Sequence, residues 1–205
     1  MLVQMTLSTL RAHRYSPGRN WAVLAGLLLV TNLFALGLWY SDSSQAEENH
    51  FLELVQGGFL ALVCGVCCAR AWGLAKTALN LNFLLHAGLA LLSYSFLLRE
   101  FDIDQLGAAH GWATLEQVLR LFGVALWLAL LIFAALRVKQ LWAERATMFA
   151  LPMVLLSMLG GVLLAASWPF DKQLFSVLPY LTSQFIEEIL ELNGCMLLFF
   201  ASLAD

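Results

Sequence analysis

The chain has 205 residues, 61% of them hydrophobic and only 12% charged, with a net charge of −3. Its mean hydropathy is +0.79, whereas soluble domains are nearer half apolar and a quarter charged. This composition excludes an ordinary soluble domain. The apolar residues come in blocks of about 20, the length a helix needs to cross a hydrocarbon core of about 30 Å.

The expected fold is all-α: a polytopic transmembrane helix bundle forming one integral membrane domain over residues 1–205. Six spans are read, at about 21–40, 52–71, 77–98, 113–136, 147–167 and 178–203. Continuous apolar runs are not the alternating pattern of barrel strands. The short connections leave no room for a separate soluble domain.

Arg11, Arg14 and Arg19 precede the first span, and Ser44-Gln45-Ala46 follows it. That arrangement also fits a signal peptide with a small-x-small cleavage site. The near-full spanning length and the long basic region favour an uncleaved anchor.

The second span opens with Glu53 and Gln56 and carries Cys64, Cys67 and Cys68. In a soluble context C-x-x-C is a redox or metal motif. Within an apolar helix the thiols read as small packing residues, as does Cys195 in the sixth span. No cysteine is placed for an exposed disulfide.

His86 lies near mid-depth in the third span, one turn beyond Asn82. It reads as a hydrogen-bonded packing residue, because His13, His50 and His110 all fall outside the hydrocarbon core. No haem, other cofactor or metal site is expected. The span ends in R-E-F-D-I-D, which places Arg99, Glu100, Asp102 and Asp104 together. The alternating acids resemble a calcium loop only superficially, since the glycine is misplaced and the closing glutamate is missing. The forked guanidinium of Arg99 suits a carboxylate from another span or a phosphate.

His110, Trp112, Glu116 and Arg120 open the fourth span. Glu116 and Arg120 are spaced i, i+4, so a local ion pair is the simplest reading. Their height also makes Arg120 a second candidate anion clamp. In the fifth span, Pro152 is expected to permit a kink, and Gly160-Gly161 to admit another helix closely. Pro169 is expected to stop that helix. Trp168 joins Trp39, Tyr40, Trp112 and Tyr180 in an interfacial aromatic belt.

The sixth span holds the most informative stretch, S-Q-F-I-E-E-I-L-E-L-N-G, Ser183 to Gly194. Gln184, Glu187, Glu188 and Glu191 follow i, i+3, i+4, i+7, one stripe of an α-helix. Gly194 and Cys195 extend the stripe with small side chains. Asn193 falls on nearly the opposite face and needs a different neighbour. From Glu191 to Asp205 is 14 residues, about 21 Å of helix, so Glu191 is expected inside the hydrocarbon. Carboxylates at that depth must face the bundle interior or a wet cavity. Three of them on adjacent turns need a shared proton or nearby cations.

Basic residues set the orientation. Arg11, Arg14, Arg19, Arg70, Lys76, Arg137, Lys139 and Arg145 fall on one side of the six-span arrangement. Only Arg99, Arg120 and Lys172 fall on or near the other, together with most of the acids. Both termini are therefore expected in the cytoplasm. The basic residues reflect topology, so nucleic-acid binding has no support.

R-E-F-D at Arg99–Asp102, paired with E-E-I-L-E-L-N-G at Glu187–Gly194, resembles bacterial multi-pass inner-membrane families of unassigned function. These carry an R-E-[LF]-D motif after one span and E-E-x-L-E-x-x-G in the last. The resemblance implies that Arg99, Glu100, Asp102, Glu187, Glu188 and Glu191 act together in a bacterial inner membrane. It brings no activity.

The candidate ligand-binding set is therefore Gln184, Glu187, Glu188, Glu191, Arg99, Glu100, Asp102 and Arg120. It suits binding or transport of a small cation, a proton or a zwitterionic lipid headgroup. One alternative is a lipid-modifying enzyme, with a glutamate as general acid or base and Arg99 stabilising negative charge. Another is an assembly subunit whose acids pair with a cationic helix of a membrane-protein partner.

Overall fold

The computed structural model describes residues 17–42, 51–76, 81–101, 111–174 and 177–204, with side chains from Trp21 onward. Asp102, Asp104, His13, His50, His110, Arg11, Arg14 and the Ser44-Gln45-Ala46 segment lie outside the described residues. Among those described, every regular element is a helix. Seven follow in order: α1 (Pro17–Ser41), α2 (Phe51–Ala75), α3 (Leu81–Glu100), α4 (Gly111–Leu136), α5 (Val138–Phe149), α6 (Pro152–Asp171) and α7 (Tyr180–Leu203).

Five of them, α1 over Trp21–Ser41 and all of α2, α3, α4 and α6, are long and apolar enough to cross a membrane. Their composition is that of an integral membrane protein in contact with a bilayer. With 24 residues, α7 is also long enough, at about 36 Å. Its three glutamates set it apart from the apolar five.

The most enclosed helix is the one with the acids. On α7 the buried residues include Ser183, Gln184, Glu191, Leu192 and most of Gly194–Ser202. By contrast α4 buries only Gly123. The α7 helix packs mainly on α6 and α2, α3 packs on α2, and α4 lies outside α3. Leu60, Val63 and Cys67 of α2, Leu89 of α3, Leu156 of α6 and Leu198 of α7 form the core.

Glycine brings α6 and α7 together. A Cβ on Gly160 would lie 2.9 Å from the Gly194 carbonyl oxygen, and one on Gly194 would lie 3.0 Å from that of Gly160. Such backbone contact is how membrane helices associate without a hydrophobic driving force. Gly161 takes no part, having open space where its Cβ would be.

On the opposite face of α7, Asn193 finds Asn32 of α1. Each amide nitrogen donates to the other's oxygen, at 2.7 and 2.8 Å. Each also donates to a carbonyl one turn back in its own helix, Leu28 or Ile189. Two amides that would be costly in lipid are thereby paired.

Three expectations need correction. Pro152 does not kink a span: it is the first residue of α6, after Leu151 in an extended conformation. Proline is tolerated there because the first helical N–H has no partner to lose. Residues 147–149, expected at the start of the fifth span, belong instead to α5, a 12-residue helix that forms the connection between the fourth and fifth spans. Nor does Pro169 stop α6, which continues to Asp171. The helix ends just beyond, where Gln173 adopts φ 49°, the left-handed geometry common at helix ends.

Candidate functional site

The site gathers where α2, α3, α6 and α7 meet at the acidic end of the bundle. Its deepest acid is Glu191, only 4% exposed. Arg99, at the end of α3, places Nη2 2.6 Å from Glu191 Oε1. Ser167 Oγ of α6 lies 2.8 Å from the same oxygen. It is equally close to the Leu164 carbonyl, so its one proton has two acceptors.

Arg99 also holds its neighbour. Nε donates to Glu100 Oε1 at 2.9 Å, and Nη2 lies 2.8 Å from that oxygen. The arginine side chain is half exposed, whereas those of Glu191 and Glu100 are 5% and 11% exposed. One guanidinium thus reaches inward from the rim to two enclosed carboxylates.

One turn from Glu191, Glu188 meets α2. Gln56 Nε2 donates to Glu188 Oε2 at 2.6 Å and lies 3.1 Å from the Glu188 carbonyl. Those two acceptors fix which end of the amide is nitrogen. Gln56 Oε1 is consequently the free end, within the same cluster, in a residue 1% exposed, and it has no hydrogen-bond partner among the described residues. Gln184 repeats the pattern one turn further along. Its Nε2 donates to the Tyr180 hydroxyl at 2.7 Å, while its Oε1 is buried and unpartnered. The Phe101 ring covers Gly57, where a Cβ would lie 2.8 Å from it, and so shields the turn of α2 that carries Gln56.

The charges do not balance. Among the described residues, Glu100, Glu188 and Glu191 face one guanidinium. Glu188 is within electrostatic range of Glu187, Glu191 and Glu100, and Glu100 of Glu53. A carboxylate and an amide oxygen are acceptors only. Enclosed acceptors with excess negative charge call for a proton or a cation.

Of the residues singled out by sequence, Arg99, Glu100, Glu188 and Glu191 come together. Gln184 is buried on the same face of α7, and Glu187 is half-buried beside it. Arg120 stands apart. Its Nε donates to Glu116 Oε1 at 2.7 Å, and Nη2 reaches the Leu98 carbonyl at 3.2 Å. It therefore links the ends of α3 and α4 and does not clamp α7. Asp102 lies outside the described residues. Ser167 was not legible at all, because a lone serine in L-L-A-A-S-W-P carries no periodic signal. His86 Nδ1 lies 2.8 Å from the Asn82 carbonyl, which fixes that nitrogen as the donor and leaves Nε2 facing Arg70 at 3.5 Å.

No protein-family model, curated protein or solved structure matches the chain significantly.

Proposed function

We propose that the chain is a bacterial inner-membrane protein of six crossings, with both ends of this sequence in the cytoplasm. In this reading its outer-leaflet site binds or passes a small cation or proton, or takes the cationic part of a zwitterionic headgroup. The sixth crossing is α7, supported by its length and its central place among the apolar helices. The orientation is supported by Arg70, Lys76, Arg137, Lys139 and Arg145 at one end, opposite Glu53, Glu100, Glu116 and Asp171.

The observation that carries the reading is the enclosed set of three carboxylates with one guanidinium, beside the unpartnered Gln56 Oε1. Ionisable groups inside a membrane mark ion or substrate sites by default. Arg99 fixes Glu191 and Glu100, which leaves Glu188 and Gln56 to receive the mobile positive charge. The R-E-F-D and E-E-I-L-E-L-N-G motifs supply Arg99 and the three carboxylates, while Gln56 comes from α2, and in this reading that is what the pair of motifs is for.

Proteoliposomes test it. Protein in vesicles loaded with a pH-sensitive dye, under an imposed potential in sodium or potassium media, should give proton or cation flux. Glu188→Gln and Glu191→Gln should abolish it. Vesicles as tight as protein-free controls, with no cation-dependent change in the protein's thermal midpoint, would remove the proposal.

A further inference from the structure

A second feature lies at the opposite, basic end of the helices and is independent of the acidic site. Helices α2, α3 and α4 frame an open groove of about 590 Å³ lined almost entirely by hydrocarbon and aromatic side chains. On each helix the lining runs from one end residue to another 11 positions on: Cys64 to Ala75, Phe83 to Tyr94, and Phe122 to Phe133. Eleven steps along a helix rise about 16 Å. That is close to half of a hydrocarbon core of about 30 Å, the depth of one leaflet. The groove thus has the length of one lipid tail and the volume of a ligand site.

Its mouth is charged. Phe83 and Phe133 meet edge to face there, with centroids 5.8 Å apart. Lys76 Nζ sits 5.3 Å over the lining ring of Trp72, and the Arg137 guanidinium sits 5.3 Å over the lining ring of Phe133. Neither cation forms an ion pair among the described residues. Tyr94 and Phe122 mark the far end, where the Tyr94 hydroxyl is occupied by the Leu119 carbonyl. An apolar slot one leaflet deep, framed at its open end by Lys76 and by Arg137, whose Nη1 donates to Gln140 Oε1 at 3.3 Å but meets no carboxylate among the described residues, matches one kind of molecule.

We infer that this groove is a binding site for an anionic phospholipid, with one acyl chain between α2, α3 and α4 and the phosphate against Lys76 and Arg137. Zwitterionic lipids offer the same tail, but their headgroups bring a cation to a place that already holds two. The preference should therefore reside in the headgroup and the capacity in the slot. Which leaflet is involved follows from whichever side the basic end faces.

The test uses the full chain in nanodiscs of equal phosphatidylglycerol and phosphatidylcholine, released for native mass spectrometry. One phosphatidylglycerol should be retained in preference to phosphatidylcholine, by up to about thirtyfold given two basic residues near the surface. Lys76→Gln with Arg137→Gln should bring the two lipids near parity while a lipid is still held. Ala129→Trp, on an exposed position lining the groove, should expel both, and Ala129→Leu should do so partially, with thermal midpoints unchanged. Equal retention of both lipids by the unmodified chain would overturn the inference. So would a preference that survives the charge substitutions, or a lipid-free dimer that Ala129→Trp dissociates, which would make the groove an interface between copies.

Discussion

Arg99 reaches from the rim at the end of α3 to the enclosed carboxylate of Glu191 on α7, 2.6 Å away. This contact joins the R-E-F-D and E-E-I-L-E-L-N-G stretches across 92 positions of a largely apolar chain. It fixes how far α7 is inserted relative to α3. It also commits the only guanidinium among the described residues of the cluster, so that Glu188 is left to Gln56.

Removing Arg99 should be costly, because a buried carboxylate then loses its counter-charge. Loss of one partner from a fully buried pair costs about 3–5 kcal/mol, and the half-exposed arginine lowers this to about 1–3 kcal/mol. Arg99→Ala should lower the thermal midpoint in detergent accordingly. Adding Glu191→Gln to that variant should recover part of the loss, since the unpaired charge is then gone. Purely additive losses would show that the pair does not couple.

The α6–α7 contact makes a sharper distinction between adjacent glycines. Gly160→Ala and Gly194→Ala each place a methyl against backbone, whereas Gly161→Ala places one in open space. The first two should destabilise by about 1–3 kcal/mol, and the third should be close to neutral. Unfolding midpoints of the three variants decide the matter. Equal effects at Gly160 and Gly161 would contradict the packing described.

The Asn32–Asn193 pair holds α1 against α7. Inter-helix polar contacts in membranes average about 0.6 kcal/mol and reach about 1.7 kcal/mol. Asn32→Leu and Asn193→Leu should each fall within that range or somewhat above, because the orphaned amide remains in an apolar setting. The double variant should cost less than the sum of the two. A double-mutant cycle on reversible unfolding in bicelles would measure it.

Much of this architecture is legible in the sequence because hydrophobic length and helical spacing are physical requirements of lipid. The spans at 52–71 and 113–136 lie within α2 and α4, and the i, i+3, i+4, i+7 spacing places Gln184 and Glu191 on a buried face. The fifth span was displaced because T-M-F-A-L-P is apolar on both sides of the helix boundary. Hydropathy does not register that Pro152 suits the first position of a helix, where its missing N–H costs no bond. The choice between Arg99 and Arg120 was also open. Both lie at the right height, and only the fold shows that Arg120 is taken by Glu116 and the Leu98 carbonyl. Ser167 and the Asn32 end of the amide pair were hidden for a third reason. Single short polar residues in a span have no pattern, and their partners lie on other helices.

In the proposed function, enclosed glutamates around Gln56 and Arg99 share a mobile positive charge within the membrane. Infrared difference spectroscopy of the reconstituted protein reads those carboxyl groups directly, under exchange of sodium, potassium and an impermeant cation near neutral pH. The expected result is a protonated-carboxyl band, or a cation-dependent shift of a carboxylate band, that disappears in Glu188→Gln. A spectrum showing every carboxylate ionised and indifferent to both pH and cation would contradict it.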